Sequence, residues 1–221
     1  MPKLGDLGLW PMDGAPFGSR KLCRGRGMFS LRKIGPEDKE MVRMWRNKDR
    51  IRRNMYNSDV ISEEKHRLWF SKSLTDAKSK YLVFAVKKNP VGLIYFTEVD
   101  KENSTAKWGF YLGEDSSMPG IGTIMEYFAV SYAFEVLKMH KLCGEVLSYN
   151  STAIGLQRWF GFKEEGVLRG HVFKEGSRAD VHIFGMFRDE WFKEKARILK
   201  DLPKSVPEKI LGVVNERKGS D

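Results

Sequence analysis

Five consecutive residues, Pro119-Gly120-Ile121-Gly122-Thr123, lie between an extended run that ends near Leu112 and an apolar segment with helical spacing. A strand, a glycine loop and a helix start in that order leave several backbone N–H groups without partners and turn them outward. Such a nest holds a phosphate or a pyrophosphate. The two glycines permit the close approach and the unusual φ values it needs. The first chemistry legible in the chain is therefore anion binding by the main-chain amides of Met118, Gly120, Ile121, Gly122 and Thr123.

The rest of the chain must position that loop. Residues 29–34, FSLRKI, alternate as a short strand, and Gly35-Pro36-Glu37-Asp38 reads as a turn into a helix over 37–47. A basic stretch continues to Arg53, placing Arg46 and Arg50 four apart on one helix face. Ser62 followed by Glu63-Glu64 is an N-cap with an acidic first turn, opening a helix that carries His66, Trp69, Phe70 and Leu74. Residues 81–86, 91–99 and 105–112 form an antiparallel meander, with turns at Lys88-Asn89-Pro90 and at 100–104. A helix over 122–138, a strand over 142–147, a short helix capped by Asn150 and closed by Gly161, and a hairpin about Gly176-Ser177 follow. The expected fold is α/β, a mixed and mostly antiparallel central sheet with helices on both faces.

The 221 residues suit one domain, divided here into a flexible leader (1–27), a core (28–188) and a helical, then polar tail (189–221). The chain shows no signal peptide and no run long enough to span a membrane. Cys23 and Cys143 lie far apart in unlike contexts and read as free thiols of a cytoplasmic protein. The net charge of +10 fits an anionic small molecule. Nucleic acid is disfavoured, because no zinc spacing or RNA-binding aromatic signature accompanies the basic clusters. No histidine has metal-ligand spacing, so no metal is expected.

The element order, Gly120-Ile121-Gly122 before a helix, and Asn150, Ala153 and Gly161-Phe162 together resemble the GNAT superfamily of acyl-CoA N-acyltransferases. The superfamily's loop signature, Gln/Arg-x-x-Gly-x-Gly/Ala, reads here Ser117-Met118-Pro119-Gly120-Ile121-Gly122, with Ser117 in place of the long side chain. The resemblance covers roughly residues 28–188. Trp45-Arg46-Asn47, Met55-Tyr56, Ile61-Ser62, His66 and residues 134–146, FEVLKMHKLCGEV, are similar to the acetyltransferases of pseudaminic acid biosynthesis.

The resemblance implies acetyl-CoA as co-substrate, its pyrophosphate on the glycine loop and its pantetheine along Phe110, Tyr111 and Leu112, with Asn150 facing the coenzyme. It also implies acetylation of the 4-amine of a UDP-linked 4-amino-4,6-dideoxy-N-acetylhexosamine, a precursor of flagellar and surface glycans. Arg46, Asn47, Tyr56, His66 and Thr97 would line that acceptor site. Many superfamily members place a tyrosine seven residues after the asparagine to protonate the departing thiolate. Position 157 is instead glutamine, which donates hydrogen bonds but has no titratable proton. Glu98, at a central strand end, is the candidate base and Tyr149 a candidate relay.

Each residue also has a plain structural reading. His66 packs against its neighbours, Arg46 and Arg50 form a solvated basic face, and Trp45, Trp69 and Phe70 belong to the core. Alternative functions are a protein N-terminal or ribosomal-protein acetyltransferase, an aminoglycoside-modifying enzyme, or an inactive acetyl-CoA-binding module. A homodimer is compatible with the sequence, which sets no oligomeric state.

Overall fold

A computed structural model describes residues 28–115, 118–210 and, as backbone, 214–215. The leader, Cys23, Ser117 and the remainder of the polar end lie outside the described residues. The strands are β1 (Phe29–Lys33), β2 (Lys80–Val86), β3 (Asn89–Asp100), β4 (Thr105–Leu112), β5 (Lys141–Leu147), β6 (Lys163–Lys174), β7 (Ser177–Phe187) and β8 (Val214–Asn215). The helices are α1 (Lys39–Asn47), α2 (Asp49–Arg52), α3 (Glu63–Thr75), α4 (Ile121–Ser131), α5 (Ser151–Phe160) and α6 (Arg188–Asp201). One sheet runs β6-β7-β5-β4-β3-β2-β1-β8. Its pairs are antiparallel except β4–β5 and β1–β8.

Strand alternation divides the apolar residues between two layers. Val83 and Leu93 pack with Val42, Trp45, Ile51 and Phe70, under α1 to α3. Their neighbours Leu82, Phe84, Ile94 and Phe96 join the main core with Phe128 of α4, Phe160 of α5 and Trp191 of α6. Burying each such aromatic side chain contributes roughly 1.5–3 kcal/mol. Helices on both faces of a mixed sheet match the architecture expected from the sequence.

Three local features differ from the sequence reading. The first hairpin turns at Lys87-Lys88, both with positive φ (48° and 71°), and Pro90 already lies in β3 opposite Ala85, beside a bulge. The long helix is α only to Ser131; Tyr132–Val136 form a π turn, in which Leu137 N–H reaches the Tyr132 carbonyl at 2.9 Å. The second hairpin turns at Glu175-Gly176, and Ser177 begins β7.

The segment after 188 is no mere tail. Trp191, Ile198, Leu202, Val206 and Ile210 belong to the main core. Tyr127 donates its hydroxyl to the carbonyls of Pro207 (3.1 Å) and Glu208 (2.9 Å). This cover explains why every residue described as buried in α4 includes its outward side: Tyr127 is wholly enclosed. Among the described residues no helix is long and apolar enough to cross a membrane.

Candidate active site

β4 and β5 are parallel neighbours, but they pair only at Thr105↔Lys141, Ala106↔Leu142 and Lys107↔Cys143. Beyond that point the strands part. The ladder groups of β4 that face β5 are left without a strand partner. The resulting cleft, about 490 Å³, runs from Trp108 and Gly144 at the apex of the V to Gly120–Thr123 and Asn150 at its mouth. Phe110, Tyr111 and Leu112 form one wall.

The mouth is built for an anion. Gly120, at φ 73°, is the N-cap of α4 and turns the chain so that the first amides of the helix face outward. The first helical bond is Ile124 N–H to the Gly120 carbonyl, 3.0 Å, leaving the amides before it free of helical partners. A side-chain carbon on Gly122 would meet nothing nearer than Leu112 Cδ1 at 3.8 Å, so the loop is open where a ligand would lie. Thr123 Oγ1 is buried there with no hydrogen-bond partner among the described residues. Asn150 caps α5 by accepting from Ala153 N–H (3.2 Å) and borders the same mouth. The Met118 side chain packs partly buried against the core. A diphosphate on the amides and an amide-rich arm along the free edge of β4 fit this cleft.

Two further cavities continue from the apex. One, about 360 Å³, is bordered by Tyr56, Thr97, Glu98, Lys107, Cys143 and Glu145. The other, about 330 Å³, is lined by Arg46, His66, Trp69, Tyr81, Tyr95 and Tyr111, with Thr97 shared between the two. Arg46 Nη2 donates to the Asn57 carbonyl (3.2 Å), while its Nη1 and His66 Nε2 are buried without a partner among the described residues. Burial pushes the Arg46 guanidinium and the His66 ring below their ordinary values, the nearby Arg43 adding to the effect on His66. The structure thus brings Arg46, Tyr56, His66 and Thr97 to two adjoining cavities.

Other expected site residues are engaged elsewhere. Asn47 is occupied with Ile61, donating to its carbonyl (3.0 Å) and accepting from its N–H (2.8 Å), so it ties the loop after α2 instead of lining a cavity. Tyr149 donates to the Arg53 carbonyl (2.5 Å) and borders a separate cavity, which takes it out of the cleft as a relay. Trp69 is 38% exposed and lines the second of these cavities in place of entering the core. Arg46 and Arg50 do not share a face, because Lys48 breaks the helix between them. Arg50 instead donates to the carbonyls of Leu112 (2.8 Å) and Gly113 (3.1 Å) and pairs with Asp115 (3.0 Å).

Glu98 sits on a bulge of β3 at φ 50°, with its side chain 67% exposed and 3.0 Å from Lys107. Glu145 of β5, not singled out by the sequence, is the better-placed carboxylate. Its side chain is 25% exposed and 3.0 Å from Lys107, it accepts from the Tyr56 hydroxyl, and it borders both the cleft and the adjoining cavity. Burial pushes its carboxyl up, but Tyr56 and Lys107 outweigh that and hold it below the ordinary range. Its strand offers a signal in retrospect: Leu142, Gly144 and Val146 alternate inward, which turns Glu145 toward the acceptor face. Gln157 is 7% exposed on α5 and faces the cleft.

The chain belongs to the GNAT acetyltransferases: the acetyltransferase (GNAT) domain model matches residues 29–163. The prophage-derived, uncharacterized N-acetyltransferase YokL of Bacillus subtilis is 31% identical over 166 residues, spanning 74% of this chain and 92% of its own. A Campylobacter jejuni acetyltransferase, PseH, is 27% identical over 123 residues, 56% of this chain and 75% of its own. Among solved structures, spermidine N-acetyltransferase from Vibrio cholerae in complex with CoA and spermine superposes with a TM-score of 0.70 at 22% identity, covering 75% of this chain and 98% of that one. The protein is therefore an acyltransferase that takes its acetyl group from acetyl-CoA.

Proposed function

We propose that the acceptor is the 4-amine of a UDP-linked 4-amino-4,6-dideoxy-N-acetylhexosamine, as in the pseudaminic acid pathway. The observation that carries this reading is the acceptor cavity itself. Its half-buried cation, Arg46, has a buried Nη1 with no hydrogen-bond partner among the described residues, and its walls are the rings of Trp69, Tyr81, Tyr95 and Tyr111. Among the described residues no carboxylate borders it. Such a cavity favours an anionic ligand with a flat ring or sugar face, by charge-assisted hydrogen bonding and stacking. The two carboxylates of the adjoining cavity, Glu98 and Glu145, share the single ammonium of Lys107, each at 3.0 Å, which leaves that cavity less acidic toward a polyamine. The likeness of Trp45-Arg46-Asn47, Met55-Tyr56 and His66 to the pseudaminic acid acetyltransferases supports the same acceptor.

In this reading the cleft and cavities hold both substrates in one frame, which removes much of the entropic barrier. The amine must be neutral to attack. Glu145 accepts its hydrogen bond and then its proton as nitrogen bonds to the acetyl carbon and the C–S bond breaks, and passes the proton to water. Free amides of β4 polarise the thioester carbonyl. A reducing cytoplasm supplied with acetyl-CoA is the compartment this function requires.

Thiol release measured with acetyl-CoA and, in turn, the UDP-4-amino sugar, spermidine, an N-terminal peptide and an aminoglycoside tests the assignment. The sugar should give the highest kcat/KM. Turnover of spermidine or the peptide with no signal from the sugar would overturn it.

A further inference from the structure

Two buried polar atoms that border the cleft between β4 and β5 have no hydrogen-bond partner among the described residues. Trp108 Nε1, a donor, and Gln157 Oε1, an acceptor, lack hydrogen-bond partners among the described residues, and so do not pair with each other. Their residues are only 5% and 7% exposed. Both approach the same point: a side-chain carbon built on Gly144 would lie 3.5 Å from each. Buried polar groups are nearly always satisfied, so a donor and an acceptor facing one gap call for a ligand that can accept and donate there. The indole is held in place by rings on two sides, Phe110 at 6.1 Å and Phe162 at 5.5 Å between centroids. Its N–H direction is therefore set before any ligand arrives.

The gap lies at a particular place in the cleft. Lys107↔Cys143 is the last pair of β4 and β5, so Gly144 stands just past the apex of the V. An arm whose diphosphate rests on Gly120–Thr123 at the mouth enters the V with its thioester leading. The group that reaches the apex is the sulfur. Neither Trp108 nor Gln157 can give up a proton there.

We propose that Trp108 and Gln157 form a thiolate pocket. Trp108 Nε1–H donates to the thioester sulfur, and more strongly to the thiolate left when the C–S bond breaks and its electron pair stays on sulfur. Gln157 Oε1 accepts from the S–H group once sulfur has taken a proton from solvent. The proton lost by the amine leaves through Glu145 and water, so the sum is balanced without a protein acid at position 157. Trp108 is thus a catalytic residue that replaces proton donation with hydrogen-bond stabilisation of the leaving group. The inference rests on the acetyl-CoA cleft and is independent of which amine is acetylated.

Calorimetric binding of CoA and of desulfo-CoA, from pH 7 to 10, to the wild type and to Trp108→Phe tests it. Phenylalanine keeps the ring stack and removes the N–H. Wild-type affinity for CoA should rise by about tenfold through the range where a free thiol ionises, with desulfo-CoA showing no such rise. Trp108→Phe should bind desulfo-CoA as the wild type does and lose the rise with CoA. A wild type without the rise, or a variant that keeps it in full, overturns the proposal. Should the variant not fold, the two wild-type series decide alone, because desulfo-CoA is the control. Failure of the wild type to bind either compound would overturn the cleft assignment itself, and this proposal with it.

Discussion

Residues in the acceptor cavity are held in charge states that matter. His66 is buried between Trp69 and Phe70, with ring centroids 5.2 and 5.6 Å away, and its Nε2 has no hydrogen-bond partner among the described residues. Burial lowers its pKa below the ordinary 6.5, so the folded ring stays neutral where the unfolded one is protonated. Between the two values the unfolded state binds more protons, and stability rises with pH. The contribution of the neutral ring is complete above pH 6.5 and is lost as pH falls from there through the folded value. Urea midpoints should therefore drop between pH 7 and 5 in the wild type, and drop less in His66→Phe, which packs in the same place without titrating. Equal slopes for the two proteins would show that His66 is not the group responsible. The sequence places His66 on a helix face with Trp69 and Phe70, its ring neighbours, whereas the cavity that it lines is completed by Tyr81 and Tyr95 of strands distant in the chain.

The β6–β7 hairpin and the loop after α2 depend on one another. Lys174, at the hairpin tip, is 7% exposed and donates its ammonium to the carbonyls of Arg53 and Met55 (both 2.6 Å) and more weakly to that of Arg52 (3.3 Å). It closes the C-terminal end of α2, where helix carbonyls lack partners and a cation is favoured. Tyr149 holds the same Arg53 carbonyl. The loop so pinned carries Tyr56 to Glu145 and offers the Asn57 carbonyl to Arg46. Lys174→Met keeps the stem and removes the clamp, since each lost charged hydrogen bond is worth about 1.5–3 kcal/mol. It should raise the acceptor KM by roughly tenfold with the acetyl-CoA KM little changed, and hydrogen exchange should quicken in residues 53–61. A rise in both KM values together would point to general damage instead.

Much of this element level was legible beforehand. The glycine loop, the Asn150 cap and the left-handed Gly161 (φ 94°) each follow from local backbone chemistry, and the chain alone shows them. Glu145 and Lys174 do not follow from local chemistry, because their roles exist only once distant elements meet. The same holds for Asn47 and Tyr149, whose types suit a site but whose hydrogen bonds go to neighbouring backbone. The π turn after Ser131 is hidden as well, since its apolar residues satisfy either helical period.

At the scale of the molecule, the sheet divides the labour. One face, under α1 to α3, holds the cavities proposed for the acceptor, and the other carries α4 and α5, whose N-termini frame the cleft proposed for the coenzyme. α6 and the chain after it close that second face over α4, and Trp191 is fully buried against Tyr127 (5.7 Å between centroids) and Phe134 (6.5 Å). Trp191→Ala should cost about 3–5 kcal/mol in denaturant unfolding. The remaining folded fraction should bind acetyl-CoA with unaltered affinity, because Trp191 touches neither the cleft nor the loop. A change of less than about 1 kcal/mol would show that α6 is not part of the cooperative core.

Everything functional depends on where the coenzyme lies. A crystal structure of the complex with acetyl-CoA tests this most directly. The account predicts the diphosphate within hydrogen-bond distance of the amides of Gly120–Thr123, the arm between the parted strands β4 and β5, and the sulfur beside Gly144. A coenzyme bound elsewhere, with the glycine loop and the V between the strands empty, would contradict it.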